Sequence, residues 1–220
     1  MNTGVSDAVN LAWKIQANLE GWAWPGLLQT YEIERRDIAV RNSAESSDNR
    51  RLMKISMLAG GRLDQGVEVE QARREIISSL PAHGKHFDSP GITLGDDYGQ
   101  SSIIAGDGTP PVAFDPLHYV ASARPGRRLP HIWVEAGLSI FDILGPNFNL
   151  IRSEGADVSA FEDACAQRNI ALKVITLGAG QMRPYKAALL LVRPDSHVAW
   201  RGDTARNAGH IIDKARGALA

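Results

Sequence analysis

Ala187-Ala188-Leu189-Leu190-Leu191-Val192-Arg193-Pro194-Asp195-Ser196-His197-Val198-Ala199-Trp200 is the stretch that decides the fold. Its first six residues form an unbroken apolar run, the pattern of a central strand covered on both faces. Arg193-Pro194-Asp195-Ser196 carries turn chemistry: proline presets φ, and the aspartate and serine side chains can bond back to the backbone. Residues 197–200 then return as the second strand of a hairpin. Working outward, Ile132-Trp133-Val134, Phe148-Asn149-Leu150-Ile151 and Leu172-Lys173-Val174-Ile175-Thr176-Leu177 read as further strands. Residues 158–168 and 207–219 read as helices. The order strand, helix, strand, hairpin, helix predicts an α/β body built on a βαβ unit.

The first eighty residues have a different texture. Residues 3–20 show helical periodicity, with Ala8, Leu11, Ala12 and Ile15 as the face laid on a core. Trp22-Ala23-Trp24-Pro25-Gly26 makes a turn, and Leu27, Leu28, Tyr31, Ile38 and Val40 mark a second, long helix that the Gly60-Gly61 pair should break. Glu32 forms charge pairs with Arg35 and Arg36 on an exposed face. Residues 67–80 predict a third helix stopped by Pro81. A helical set this open needs another surface to cover its apolar faces. The Pro- and Gly-rich text from 90 to 125 reads as a linker with a short strand or two at 99–104, so a domain boundary falls between 82 and 99.

The N-terminal run Met1-Asn2-Thr3-Gly4-Val5-Ser6-Asp7-Ala8-Val9-Asn10-Leu11-Ala12-Trp13-Lys14 reads as a helix start whose first N–H groups face outward. Thr3, Ser6 and Asp7 are capping and first-turn residues. Such a terminus suits an anion or an electron-rich ring. A ligand there needs its other walls from elsewhere, which marks the chain as the back part of a larger protein.

Bulk properties set limits. Hydrophobic residues make up 44% and charged residues 22% of the 220, ordinary for a globular chain, and the net charge of −1 gives no field to recruit nucleic acid or anionic lipid. No apolar run reaches the ~18 residues that span a bilayer, and no leader pattern is present, so the expected location is cytoplasmic. One cysteine, Cys165, excludes an internal disulfide and a Cys-x-x-Cys redox pair; it reads as a packed core residue.

The N-terminal run, with Leu28-Gln29-Thr30-Tyr31-Glu32-Ile33-Glu34-Arg35-Arg36, Arg124-Pro125-Gly126-Arg127-Arg128-Leu129-Pro130-His131 and Leu191 through Arg201, resembles the FAD-dependent aromatic hydroxylases, the class A flavoprotein monooxygenases of the phenol hydroxylase type. The four matches occur in the family's order across nearly the whole chain. The resemblance implies a helical tail of an FAD-binding domain over residues 1–88. A thioredoxin-like domain without Cys-x-x-Cys, together with its loop-rich lead-in, follows over 89–220. It implies FAD as cofactor, NAD(P)H as reductant, and a phenolic or other aromatic substrate. It also implies that Met1, Asn2 and Thr3 bind the cofactor, their backbone facing the N1–C2=O edge of the flavin ring. The dinucleotide-binding Gly-x-Gly-x-x-Gly of such enzymes is absent: Gly178-Ala179-Gly180 has Arg183 at the third glycine position and Pro184 next, and reads as a turn.

Other candidates carry less. His83 and His86 lie in a loop with no third metal ligand beyond Asp88. His131 reads as a structural histidine in the core or at the domain junction, and His197 as a strand-surface partner of Trp200. Asp142 and Asp163 lack a second carboxylate for acid–base work, and Ser139 and Ser196 lack a Gly-x-Ser-x-Gly elbow. No catalytic residue is assigned. Two readings of different class follow. One is the C-terminal portion of an aromatic monooxygenase, inactive by itself and lacking its N-terminal FAD-binding part. The other is a non-enzymatic thioredoxin-like module that mediates homo-oligomerisation or completes a partner subunit.

Overall fold

The computed structural model describes residues 2–63, 71, 73, 74, 76–78 and 88–219. Packing divides the chain into two compact units. One comprises Met1–Arg36, Asp96–Ala113 and Val120–Ala220; the other comprises Asp37–Gly95 and Phe114–Tyr119.

In the larger unit a four-stranded mixed sheet has the order β4-β3-β5-β6, with β3 Phe148–Ser153, β4 Leu172–Leu177, β5 Leu189–Val192 and β6 Val198–Gly202. β3 runs parallel to β4 and antiparallel to β5, and β5 pairs antiparallel with β6. Helix α5, Ser159–Ala166, makes the crossover between β3 and β4, and α7, Ala208–Ala215, closes the unit. This is the βαβ-ββα arrangement expected of a thioredoxin-like domain. Residues 132–134 depart from expectation: β1, Trp133–Glu135, pairs with β2, Leu138–Ser139, in a separate two-stranded ribbon. A four-residue helix, α4 (Ile140–Ile143), follows, capped by Ser139 and Asp142. Another, α6 (Ala179–Met182), starts after Gly178, so Gly178-Ala179-Gly180 opens a single helical turn.

Strand alternation sends side chains to two cores. Phe148, Leu150, Leu189 and Leu191 face one; Ile151, Leu190 and Val192 face the other. The first core is completed by the chain's beginning. Helix α1, Asn2–Leu19, and the start of α2, Gly26–Leu63, contribute Trp13, Ala17 and Leu27, and the turn between them contributes Trp22. Trp13 stacks on Trp22 with ring centroids 6.4 Å apart, and both rings pack on Phe148. The apolar surface that the helical text demanded is thus the sheet itself. Trp24, by contrast, is half exposed, with the Arg216 guanidinium over its ring.

Three expectations fail for identifiable reasons. α2 runs through Gly60-Gly61 to Leu63, because a glycine costs a helix only about 1 kcal/mol and no proline intervenes. Residues 99–104 form turns instead of strands: Ser101 N–H donates to the Tyr98 carbonyl and Ile104 N–H to that of Ser101. Gly126 pins this loop at φ +96°, its N–H donating to Val198 O and its carbonyl accepting from Tyr98 N, each at 2.8 Å. The third reversal concerns α1. Ala8, Ala12 and Ile15 are exposed and Leu11 is half-buried, while Asn10, Trp13, Lys14 and Ala17 form the buried face.

In the second unit, α2 continues from Asp37, and Arg41 lies over the Phe114 ring at 4.3 Å. The short helix α3, Pro90–Leu94, places Gly91 so close to the carbonyls of Asp115 and His118 that no Cβ fits. The expected helix at 67–80 falls largely outside the described residues; Gln71, Arg73, Arg74 and 76–78 are helical.

Candidate functional site

Asn2 is the first residue of α1, Thr3 follows half-buried in the first turn, and Gly4, Val5 and Ser6 are exposed. Met1 lies outside the described residues, as do His83 and His86. The first N–H groups of an α-helix have no intrahelical acceptor, and no acidic side chain sits in this first turn to oppose negative charge. A side chain added at Gly4 would meet open space, so the backbone is approachable there. This donor set fits an electron-rich ring edge. Asp7 does not cap the helix. Its carboxylate accepts from Arg35 Nε at 2.7 Å, and Arg35 also reaches Asp96 and the Tyr98 hydroxyl at 2.8 Å each. Arg35 is therefore buried; of the expected exposed pairs on α2, Glu32 with Arg36 forms, at 3.6 Å.

What holds the helix start in place is a buried ion cluster below it. Arg193 grips Glu34 in a two-pronged bridge, NH1 to Oε1 at 2.7 Å and NH2 to Oε2 at 2.8 Å, and turns its other edge to Asp195 at 2.5 and 3.0 Å. From α1, Lys14 Nζ donates to Glu34 Oε2 at 2.8 Å, Asn10 Nδ2 to the same oxygen at 2.7 Å, and Trp13 Nε1 to Asp195 Oδ2 at 3.3 Å. Ser101 Oγ donates to Glu34 Oε1 at 2.7 Å. The rings of Trp13 and Tyr98 flank the Arg193 guanidinium at 5.1 and 5.2 Å. Two cations and two carboxylates balance, which is why full burial is tolerable: an unpaired charge there would cost several kcal/mol.

The electrostatics follow from burial and pairing. Burial would raise the Glu34 carboxyl, but Arg193 and then Lys14 hold it down at about 2. Asp195 is lowered the same way, against burial, by Arg193 and His197. Burial pulls the Lys14 ammonium down to about 8, with Glu34 opposing. Burial also lifts the Tyr98 hydroxyl above the ordinary phenol range.

The cluster and the neighbouring Arg35 contacts draw on two of the quoted runs. Glu34 and Arg35 come from the Tyr31–Arg36 run, and Arg193 and Asp195 from the hairpin turn. His197 is buried and stacks on Tyr98 at 4.2 Å rather than pairing with Trp200, which packs on Phe161. His131 is exposed instead of buried, its ring edge-on to Trp133 at 4.8 Å. Asp142 accepts the Ser139 N–H in a helix cap, and Cys165 is buried, its thiol pushed up by burial to about 12. No group of His, Cys, Asp and Glu able to hold a metal occurs among the described residues, and no described helix is long and apolar enough to cross a membrane.

Comparison with known proteins meets this geometry at both ends. A family model described as an FAD-binding domain matches residues 1–46, and one described as the C-terminal domain of aromatic-ring hydroxylases matches 122–219. The FAD-dependent monooxygenase apdD of Emericella nidulans is 33% identical over 99% of this chain and 38% of its own length. Phenol 2-monooxygenase of a Pseudomonas species is 31% identical over 92% of this chain and 39% of its own. Among solved structures, RebC-10x superposes with a TM-score of 0.86 at 41% identity, covering 99% of this chain and 42% of that one. The flavin-dependent monooxygenase PieE, solved with FAD and substrate, gives 0.82 at 28% identity over 99% of this chain and 44% of that one. The chain spans about two fifths of the length of these relatives. Its opening helix and its sheet body each carry a signature of one family, and the chain belongs to the FAD-dependent aromatic hydroxylases.

Proposed function

We propose that this chain is the C-terminal portion of a cytoplasmic, FAD- and NAD(P)H-dependent monooxygenase that hydroxylates a phenolic or other aromatic substrate, and that it is inactive by itself. By descent, residues 1–88 are the helical tail of the FAD-binding domain and 89–220 the thioredoxin-like domain. The observation that carries the reading is the start of α1: a carboxylate-free first turn, inside the segment that matches the FAD-binding model, on a helix locked from below by the ion cluster. Met1, Asn2 and Thr3 would hold the N1–C2=O edge of the flavin. FAD, when bound, supplies the redox chemistry with NAD(P)H and O2. This chain's part is to present N–H donors and the positive helix end to the edge where negative charge accumulates. None of its residues is assigned a proton-transfer role.

Two measurements test this. Titration of the 220-residue chain with FAD, followed by flavin fluorescence, should show no saturable binding; micromolar binding would mean the chain builds a flavin site without the dinucleotide-binding part. In a full-length hybrid, with this chain replacing the aligned region of RebC, Thr3→Pro removes one N–H at a first-turn position where helices accept proline. FAD retention should weaken about tenfold, the equivalent of one hydrogen bond of about 1.4 kcal/mol, with the circular dichroism unchanged. Unchanged retention would place the flavin elsewhere.

The second reading, a module that completes a partner polypeptide, is favoured by one observation: the apolar face of α1 points outward.

A further inference from the structure

Asp7 is the one carboxylate of α1, and helix geometry leans it toward the first turn. Side chains on an α-helix tilt to its N-terminus and cover the residues three and four positions earlier. For Asp7 those are Gly4 and Thr3. The helix dipole favours a carboxylate near this end, so a free Asp7 would act as the anion for its own helix start. The N–H groups offered to an electron-rich ring edge would then have a negative charge beside them.

Arg35 claims Asp7 instead. Its Nε donates to Asp7 Oδ1 at 2.7 Å, and its Nη1 is fixed on Asp96 and on the Tyr98 hydroxyl at 2.8 Å each. The guanidinium is buried, and Nη2, which shares an edge of the group with Nε, has no partner. The edge turned to Asp7 therefore holds a second donor in reserve. The cluster of Arg193, Lys14, Glu34 and Asp195 next to it balances, which leaves the field at the helix start to Arg35 and its two carboxylates. Asp7 follows Asn2 by about 7.5 Å of helix, within the ~8 Å over which charges act through physiological salt.

We propose that Arg35 is a positioning residue for the flavin-facing helix start. By holding the Asp7 carboxylate and offsetting its charge, it keeps the first turn of α1 open and electropositive for the ring edge. The inference rests on the functional reading above, and adds to it a residue that acts only through Asp7.

The first readout needs no flavin. Hydroxide, an anion, catalyses exchange of exposed backbone N–H groups with water, so the Gly4 N–H, which has no intrahelical acceptor, reports the local field. Exchange is measured by NMR in the 220-residue chain at pH 7, with the exposed Gly137 as control. Arg35→Gln, which frees Asp7, should slow Gly4 at least twofold, and Asp7→Asn should speed it as much. The double variant should return close to the parent rate, and Gly137 should not change. A bridge that only braced the helix would behave otherwise: its loss would fray the first turn and speed Gly4 in both single variants. That result, or equal rates throughout, would overturn the proposal. Asp7→Asn leaves Arg35 on Asp96 and Tyr98, so it serves even if Arg35→Gln does not fold. Its acceleration should fade in about 1 M salt, as a field effect does, and persistence there would count as fraying.

The second readout is the midpoint potential of FAD in the full-length RebC hybrid. It should follow the same order, lowest in Arg35→Gln and highest in Asp7→Asn, with at least a threefold change in the oxidised-to-reduced ratio. A wrong exchange order with FAD retained overturns the inference alone. The right exchange order with an unmoved potential places the flavin elsewhere, and overturns the reading of the helix start together with the role of Arg35. A hybrid that retains no FAD counts against both.

Discussion

Arg193 and Glu34, 159 positions apart in the chain, share two hydrogen bonds of 2.7 and 2.8 Å at a site closed to solvent. One residue sits in a turn between two strands of the sheet and the other on the second helix. The planar guanidinium matches the carboxylate edge for edge, a geometry that a lysine could not supply. Through Lys14 and Asn10 the same carboxylate reaches the helix whose start is the candidate flavin-facing segment.

Removing one partner strands the other's charge. Glu34→Gln or Arg193→Met should each destabilise the 220-residue chain by about 3–5 kcal/mol, measured by urea unfolding with tryptophan fluorescence. The double variant should cost less than the sum, because the charges left behind, Lys14 and Asp195, balance, whereas each single variant leaves the cluster with a net charge. Strict additivity would mean that the pair contributes no coupling.

Acid should unfold the protein largely through this cluster. The folded Glu34 carboxyl, at about 2, lies below its ordinary value of 4.5, so the unfolded chain takes up that proton first as pH falls. Its stabilisation is complete above about pH 5 and drains away toward pH 2, with Asp195 acting in the same sense. Lys14 works on the alkaline side. Its folded value of about 8 is below the ordinary 10.5, so across that window the unfolded chain holds the extra proton and the Lys14 contribution improves as pH rises. Urea midpoints from pH 3 to 7 should fall less steeply with acid in Glu34→Gln than in the parent.

Cys165 should resist thiol reagents at pH 8 until the fold opens. Burial pushes its pKa to about 12, leaving almost no thiolate. Labelling across a urea series should rise in step with unfolding; fast labelling of the native chain would contradict its packed position.

Gly126→Ala should be costly despite its small size. The residue has φ +96°, where a side chain is strained by about 1–2 kcal/mol, and an added Cβ would collide with Gly99 N. Thermal unfolding should show a loss at least that large, against little effect for Gly180→Ala, which faces open space.

The sheet was legible because its signals are local. The Ala187–Val192 run, the turn at Arg193–Ser196 and the 172–177 strand each announce themselves within a few residues. The face of α1 was not legible, since hydropathy assigns Ala8, Ala12 and Ile15 inward and Lys14 outward, and only a balancing carboxylate brought from α2 reverses that. Arg35 and His197 were misread for the same reason: their partners, Asp7, Asp96 and Tyr98, lie 28 to 99 positions away in the chain. The role of Met1, Asn2 and Thr3 rests on the family pattern, because a helix start looks alike whether it meets a flavin or water.

Trp13, Ala17, Trp22 and Leu27 fill the core beneath Phe148 and Leu191, although by descent they belong to the flavin-binding side of the chain. Ancestry and folding therefore cut this polypeptide in different places. A gene fragment that began after residue 46, where the FAD-binding match ends, would encode the whole sheet and still inherit a hole where four side chains should be. The thioredoxin-like part is thus a poor candidate for shuffling between genes: it can be moved only with the two helices that finish it, and those carry the flavin-binding segment along.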